Sequence, residues 1–512
     1  MQFPQNGYLY GMSVKSILAR PFAAVIARQI LKWSKDAARA QEFLFHKLIH
    51  DGKKTAFGKD HDFQNITTHA DFIERVPIRE YEAFKPYIER IKEGEENVLW
   101  KGKPVYFAKS SGTTSGVKYI PITRDSVPNH IDTARNALLM YIAETGNRQF
   151  VNGKMIFLSG SPELEKIGGI LTGRLSGIVN HHVPRYLRGN QLPSYETNCI
   201  EDWEQKVEKV VEETWNQDMT LVSGIPPWVQ MYFEKLLART GKKNIKEVFP
   251  NLSLLVYGGV NFEPYRAKLF NTIGAKIDSI ETYPASEGFF AFQSSQIEEG
   301  LLLNVDSGIF FEFVPVAEIN EEKPSRVLLK DVQQGINYAL VVSSNAGLWA
   351  YSVGDVVKFV STSPYRLMVT GRTKHFISAF GEHVIGEEVE SALMKVVGEE
   401  QLEVVEFTVA PQVNPGTGEL PYHEWLIEFS TPPVDINAFR LKVDEEVRMK
   451  NIYYNDLISG NILQPLKITL MQQNAFRNYM KSIGKLGGQN KVPRLSNDRK
   501  LAEELKKWAI VV

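Results

Sequence analysis

Residues 219–259 read MTLVSGIPPWVQMYFEKLLARTGKKNIKEVFPNLSLLVYGG, and the reading of this stretch decides the fold class. Residues 219–222 form a short apolar run with the length of a buried strand. Pro226 and Pro227 then open a helix bearing Trp228, Met231, Tyr232 and Leu236, because proline in the first turn gives up only an N–H that has no intrahelical partner. Residues 252–256 form a second strand, ended by Tyr257, Gly258 and Gly259. Strand, helix, strand in this order predicts a parallel sheet with covering helices.

The alternation extends in both directions. Upstream, residues 155–158 read as a strand and 203–215 as a helix with Trp203, Val207, Val210 and Val211 on one face; downstream, 264–270 read as a helix and 276–280 as a strand. From Leu301 to about Val369 the signal changes to consecutive strands at 309–314, 327–330, 338–342 and 356–360, which predicts antiparallel or barrel-like structure. Beyond Gly371 follow a strand at 376–377, a helix at 387–397, strands near 404–409 and 424–429, a helix at 436–449 and a strand at 466–471, a small α+β unit. The expected architecture is α/β, with a large domain over residues 1–371 and a small one over 372–512.

Composition narrows the function. The 512 residues carry 59 Lys and Arg against 60 Asp and Glu, and 43% hydrophobic with 23% charged residues is the make-up of an ordinary globular chain rather than a disordered or collagenous one. A net charge of −1 leaves no electrostatic footprint for a nucleic-acid backbone, so nucleic acid is not an expected partner. With Cys199 the sole cysteine there is no intramolecular disulfide, Cys-x-x-Cys pair or thiolate zinc cage, and a reducing, cytoplasmic setting fits. The longest uncharged run, between Asp331 and Asp355, is interrupted by Gln333, Gln334, Asn337 and Asn345, so no membrane span is expected. The acid-free stretch before Asp36 contains Lys15, Arg20, Arg28, Lys32 and Lys35, superficially like a transit peptide or membrane-surface helix. Its Val14, Ile17, Leu18, Val25, Ile26, Ile30 and Leu31 recur at helical spacing and predict instead a helix docked on the core.

Most of the chemistry lies in residues 109–123, KSSGTTSGVKYIPIT. Ser110, Ser111, Thr113, Thr114 and Ser115 supply hydroxyls, Gly112 and Gly116 let backbone N–H groups approach closely, and Lys118 adds a cation, all of which suit phosphate oxygens. The spacing lacks the Gly-Lys-Ser/Thr ending of a Walker loop and is not a dinucleotide fingerprint. A loop of this composition, taken by itself, is more often a solvent-exposed turn.

Together with ETYPASEG (281–288), YSVGD (351–355), GRTKHFISAFGE (371–382) and GQNKVPR (488–494), this loop resembles, in order, the motifs of the Gretchen Hagen auxin-responsive family of acyl acid amido synthetases, within the adenylate-forming superfamily of acyl-CoA synthetases and firefly luciferase. TAFGKDHDF (55–63) and VPIREYEAFKPYIERIKEGE (76–95) are similar to the same family, so the resemblance covers about residues 43–495. It implies an adenylation domain, a small mobile C-terminal domain, and ATP with Mg²⁺. The implied reaction joins a small-molecule acyl acid to an amine, that of an amino acid, through an acyl adenylate. An acyl-CoA ligase with a thiol acceptor, a non-catalytic acid-binding protein on the same scaffold and a phosphotransferase are the alternatives.

The resemblance also implies roles. Glu287 is the expected Mg²⁺ ligand, a hard carboxylate beside a phosphate loop, and Tyr283 packs against adenine, with Ser286 near the α-phosphate. Asp355, after Gly354 in a turn, accepts hydrogen bonds from the ribose hydroxyls. Arg372 holds ribose or phosphate at the domain junction, with Lys374 at the hinge, and Gly258 and Gly259 form an adenine-contacting turn. Lys491, in a loop that is glycine-rich and then stiffened by Pro493, is brought to the carboxylate and α-phosphate by movement of the small domain. Ser352 and Asn490 depart from the arginine and the aromatic that plant members carry, so no hormone substrate is implied. His181, His182 and Cys199 read as packed or solvated side chains rather than metal ligands or a nucleophile.

Overall fold

The computed structural model describes residues 14–111, 117–183, 188–200, 202–259, 262–319, 321–373, 377, 382, 384–413, 415–416, 419–459, 463–486, 491–496 and 499–510. The expected α/β alternation forms. Strands Gln191–Leu192, Lys154–Phe157, Met219–Ser223, Leu254–Gly258 and Asp278–Ala285 are hydrogen-bonded side by side in parallel. The helix Pro226–Thr240 joins two of them, with proline in its first turn and Gly241 in the left-handed conformation ending it.

Strand Asp278–Ala285 is where the sheet changes character. On one edge it pairs in parallel with Leu254–Gly258; on the other it pairs antiparallel with Gly288–Phe292. Only Ser286 and Glu287 separate it from that neighbour, and a connection that short permits only an antiparallel partner. The antiparallel strands 301–303, 365–372, 351–362, 337–344, 309–315 and 327–328 continue the same sheet to a total of twelve strands, so they extend the parallel sheet instead of standing apart from it. A separate four-stranded sheet holds Val117–Ile122, Tyr106–Ser111, Ile170–Arg174 and Glu165–Ile167.

Residues 377–495 enclose a core of their own around Phe407, Trp425, Phe439 and Tyr454, built on strands Val404–Gln412, Tyr422–Phe429 and Lys467–Leu470 with helices Gly386–Glu399 and Ile436–Lys450. The segment 491–496 runs along the free edge of Val404–Gln412. Val409 N–H donates to Arg494 C=O at 2.9 Å, Ser496 N–H to Val409 C=O at 3.0 Å, and Thr408 Oγ1 to Pro493 C=O at 2.6 Å.

Three expectations need correction. The N-terminal helix, Val14–Lys35, does dock, but through the small residues Ala23 and Ala27 with Ile30, which let it approach the core close to Ala137 and Tyr141 of helix Val127–Thr145. Ile17, Leu18, Val25 and Leu31, expected on the inner face, are exposed. Asp355 is not in a turn; it lies within the long strand Tyr351–Thr362, where Gly354 at φ +84° makes a bulge opposite the stretch between Ala339 and Val341. Residues 327–330 are strand only through Leu328 and then a 3-10 turn. Lys374 and Phe376 lie outside the described residues. No described helix is long and apolar enough to cross a membrane.

Candidate active site

A cavity of about 1590 Å³ opens at the C-terminal ends of the parallel strands, where open α/β sheets bind ligands. Ser110, Lys118, Gly258, Gly259, Tyr283, Ser286, Glu287, Asp355, Arg372 and Lys491 all line it. Ser111 ends strand Tyr106–Ser111, and Gly112, Thr113, Thr114 and Ser115 lie outside the described residues. The antiparallel pair Tyr106–Ser111 and Val117–Ile122 sets Ser110 directly opposite Lys118.

The strand bulge at Gly354 aims Asp355 at the site. Its Oδ2 accepts from the Tyr283 hydroxyl at 2.6 Å, and its Oδ1 pairs with Arg372 Nε at 3.0 Å, Arg372 being its cross-strand partner. Each oxygen keeps a lone pair, so two acceptor sites remain for a ligand. Burial and the negative charge of Asp355 hold the Tyr283 phenol well above its ordinary pKa, so the hydroxyl stays a donor.

Glu287 occupies the second position of the two-residue turn after strand Asp278–Ala285. The Tyr351 hydroxyl donates to its Oε1 at 3.2 Å. Burial raises its carboxyl above the usual range and Asp355 adds to this, opposed by Glu287's own backbone N–H, Lys118 and Arg372. A buried carboxylate with so little compensation favours a cation. One protein carboxylate beside a phosphate site is also how Mg²⁺ is commonly held, its other ligands being water and phosphate oxygens. Among the described residues no group of three His, Cys, Asp or Glu forms a self-sufficient metal cage.

Lys491 crosses from the small unit into this cavity. Gly259 has φ +81°, a conformation that favours glycine, and a Cβ placed there would stand 3.4 Å from Lys491 Nζ. The lysine side chain is accessible because it projects into the cavity, yet the protein enclosing its ammonium lowers its pKa to about 8, with Asp355 opposing and Arg372 reinforcing the shift.

Ala134, Leu138, Phe157, Ile225 and Trp228 give the cavity an apolar side. Val222, near the end of strand Met219–Ser223, belongs to the core. His130 also lines the cavity; its Nδ1 is buried without a partner, and burial lowers its pKa to about 4, so the imidazole is neutral near pH 7. His182 meets the Tyr106 hydroxyl at 3.1 Å and His181 the Pro162 carbonyl at 2.7 Å, which accounts for the histidine pair as packing. Tyr351 and His130 were not singled out from sequence. Tyr351 begins the YSVGD motif, but only the strand register reveals that its hydroxyl reaches Glu287.

The chain is similar to known proteins over most of its length. Residues 26–194 match the GH3 family N-terminal domain, 302–372 the GH3 family central domain and 387–500 the GH3 family C-terminal domain. The indole-3-acetic acid-amido synthetase GH3.3 of Arabidopsis thaliana is 23% identical over 91% of each chain. The jasmonoyl-L-amino acid synthetase JAR4 of Nicotiana attenuata is 25% identical over 75% of this chain and 78% of that protein. In fold, the GH3.15 acyl acid amido synthetase superposes with a TM-score of 0.78 at 15% identity over 99% of this chain and 98% of that one. A 2-hydroxyisobutyryl-CoA ligase follows the same course at 0.55 and 12% identity, with the same coverage. Three consecutive domains in the family's order, spanning most of the sequence, place this chain in the GH3 family.

Proposed function

We propose that the protein is an ATP-dependent acyl acid amido synthetase, with residues 1–371 as adenylation domain and 372–512 as a mobile partner. The observation that carries the proposal is the position of Lys491: a cation from the small unit stands beside Gly259 in the cavity that also holds Asp355, Arg372, Glu287 and Lys118. The names of two relatives, an indole-3-acetic acid-amido synthetase and a jasmonoyl-L-amino acid synthetase, support it.

In this reading Asp355 accepts hydrogen bonds from the two ribose hydroxyls, the Tyr283 ring packs against adenine near Gly258 and Gly259, and the 110–115 loop with Ser286, Lys118 and Arg372 engages the phosphates. Glu287 would hold Mg²⁺, which when bound offsets phosphate charge. The acyl acid lies along the apolar side, its carboxylate toward Lys491. A carboxylate oxygen attacks the α-phosphorus; the P–O bond to pyrophosphate breaks and pyrophosphate leaves with the electron pair. The Lys491 ammonium stabilises charge on the α-phosphate oxygens as this happens. An amine, that of an amino acid, then attacks the acyl carbon. The C–N bond forms, the C–O bond to phosphate breaks, AMP leaves with the electron pair and the amine gives up a proton.

Product analysis with ATP, Mg²⁺, a panel of aromatic, aliphatic and hydroxy acids, and amino acids tests this. Amide and AMP in equal amounts are expected. ADP would indicate a phosphotransferase, and a thioester formed from CoA in preference to an amide would indicate an acyl-CoA ligase.

A further inference from the structure

Arg494 lies three residues beyond Lys491 on the same edge segment. Its side chain is 17% exposed and satisfied mostly within the small unit. Nε donates to Glu390 at 2.9 Å, Nη1 donates to Glu406 and to the Phe407 carbonyl, and the guanidinium sits 4.6 Å from the Phe407 ring centroid. One bond leaves that unit: Nη2 donates to the Tyr265 hydroxyl at 2.9 Å, and that hydroxyl donates in turn to Glu406 Oε2 at 3.2 Å. Tyr265 belongs to helix Glu263–Ile273, which follows directly on the Gly258–Gly259 strand end.

One short segment therefore touches one short stretch of the large sheet unit at two points, Lys491 beside Gly259 and Arg494 on Tyr265. Because the segment is tied to strand Val404–Gln412 and Arg494 is fixed by two carboxylates of its own unit, the two contacts form or break together. Another contact across the boundary, Lys358 with Glu387, joins strand Tyr351–Thr362 to the first turn of helix Gly386–Glu399. It lies close in sequence to where the chain passes between the units, whereas the Tyr265 contact joins segments far from that passage in sequence.

We propose that the Tyr265 hydroxyl is a positioning group, a latch that holds the small unit in the orientation that presents Lys491 for adenylation and that opens before the acceptor amine is used. This rests on the adenylation reading above. The hydroxyl bridges an arginine and a glutamate already paired to each other, so releasing it leaves no charge uncompensated, as a reversible latch requires. Tyr265, Arg494, Glu390 and Glu406 all line the cavity, so opening the latch widens the entrance at the seam between the units.

Tyr265→Phe removes the hydroxyl and keeps the ring. The variant is expected to lose at least about fivefold in acid-dependent pyrophosphate exchange through kcat, with unchanged KM for ATP and acid, and to form amide from a supplied acyl adenylate at least as fast as the parent. A loss in both half-reactions, or in neither, overturns the latch. Domain orientation gives a second readout independent of activity: spin labels at exposed Lys242→Cys and Glu445→Cys, in a Cys199→Ser background, should show a distance distribution displaced from the parent's by Tyr265→Phe. An unchanged distribution overturns the latch. If the parent exchanges no pyrophosphate with any acid, the adenylation reading fails instead, and the label distances alone decide whether Tyr265 holds the units together.

Discussion

The Tyr283 hydroxyl donates to Asp355 Oδ2 at 2.6 Å, joining the strand at which the sheet changes from parallel to antiparallel to the strand that carries the Gly354 bulge. The bond fixes one face of Asp355 and leaves lone pairs that, in the proposed mechanism, accept from the ribose hydroxyls. Asp355→Ala should raise the ATP requirement by roughly 10- to 150-fold, since a hydrogen bond to a charged group contributes about 1.5 to 3 kcal/mol. Tyr283→Phe keeps the ring and loses only the tether, so a smaller rise is expected. Calorimetric titration with ATP reads both, and unchanged affinity in Asp355→Ala would make that residue a fold element only.

Glu287→Gln preserves the shape of the hairpin turn and removes the charge. Acid-dependent exchange should fall at least about a hundredfold at millimolar Mg²⁺ and recover in part as Mg²⁺ is raised, with an unchanged melting curve. Parental Mg²⁺ dependence in the folded variant would remove Glu287 from the metal site.

In the proposed mechanism Lys491 acts as a cation, and its pKa is lowered to about 8. As pH rises through that value the ammonium is lost, so kcat/KM for adenylation should decline on the alkaline side near pH 8, while amide formation from a supplied adenylate should show no such decline from this group. Lys491→Arg, which stays charged, should move the alkaline limb upward even if its maximum rate is lower. A limb in the same place for both proteins would assign it to another group. Lys491→Ala should suppress exchange and spare the second half-reaction.

Stability has its own test at Glu312. This carboxylate is fully buried and paired with Arg326 Nη2 at 2.7 Å and His69 Nε2 at 2.6 Å. Arg326 and His69 favour its charged form, so its pKa is lowered despite burial. Glu312→Gln leaves Arg326 buried without its counter-charge and should cost about 3 to 5 kcal/mol, read as a lower urea midpoint. A midpoint within error of the parent would mean that water or rearrangement replaces the pair.

The α/β alternation was legible because the strands at 154–157, 219–223 and 254–258 are short and largely apolar and the helix between the last two opens on Pro226; Glu165–Ile167 and Gln191–Leu192 are too short and polar to carry that signal. Glu287, Asp355 and Arg372 were legible only as members of ordered motifs, and the structure brings them into one cavity. What sequence did not reveal depends on tertiary register. Asp355 reads as a turn residue because Gly-Asp is a turn signal, yet the neighbouring strands absorb it as a bulge. The N-terminal helix reads as burying its large aliphatic side chains, yet close packing against another helix selects Ala23 and Ala27. Tyr265 carries no motif at all; its role depends on a contact 229 residues along the chain.

The most direct measurement is ATP–pyrophosphate exchange by the purified protein with and without added acid. The account predicts exchange that appears only when a suitable acyl acid is present, requires Mg²⁺, and is abolished by Lys491→Ala. Exchange independent of acid, exchange retained in Lys491→Ala, or ATP consumed to ADP would contradict it.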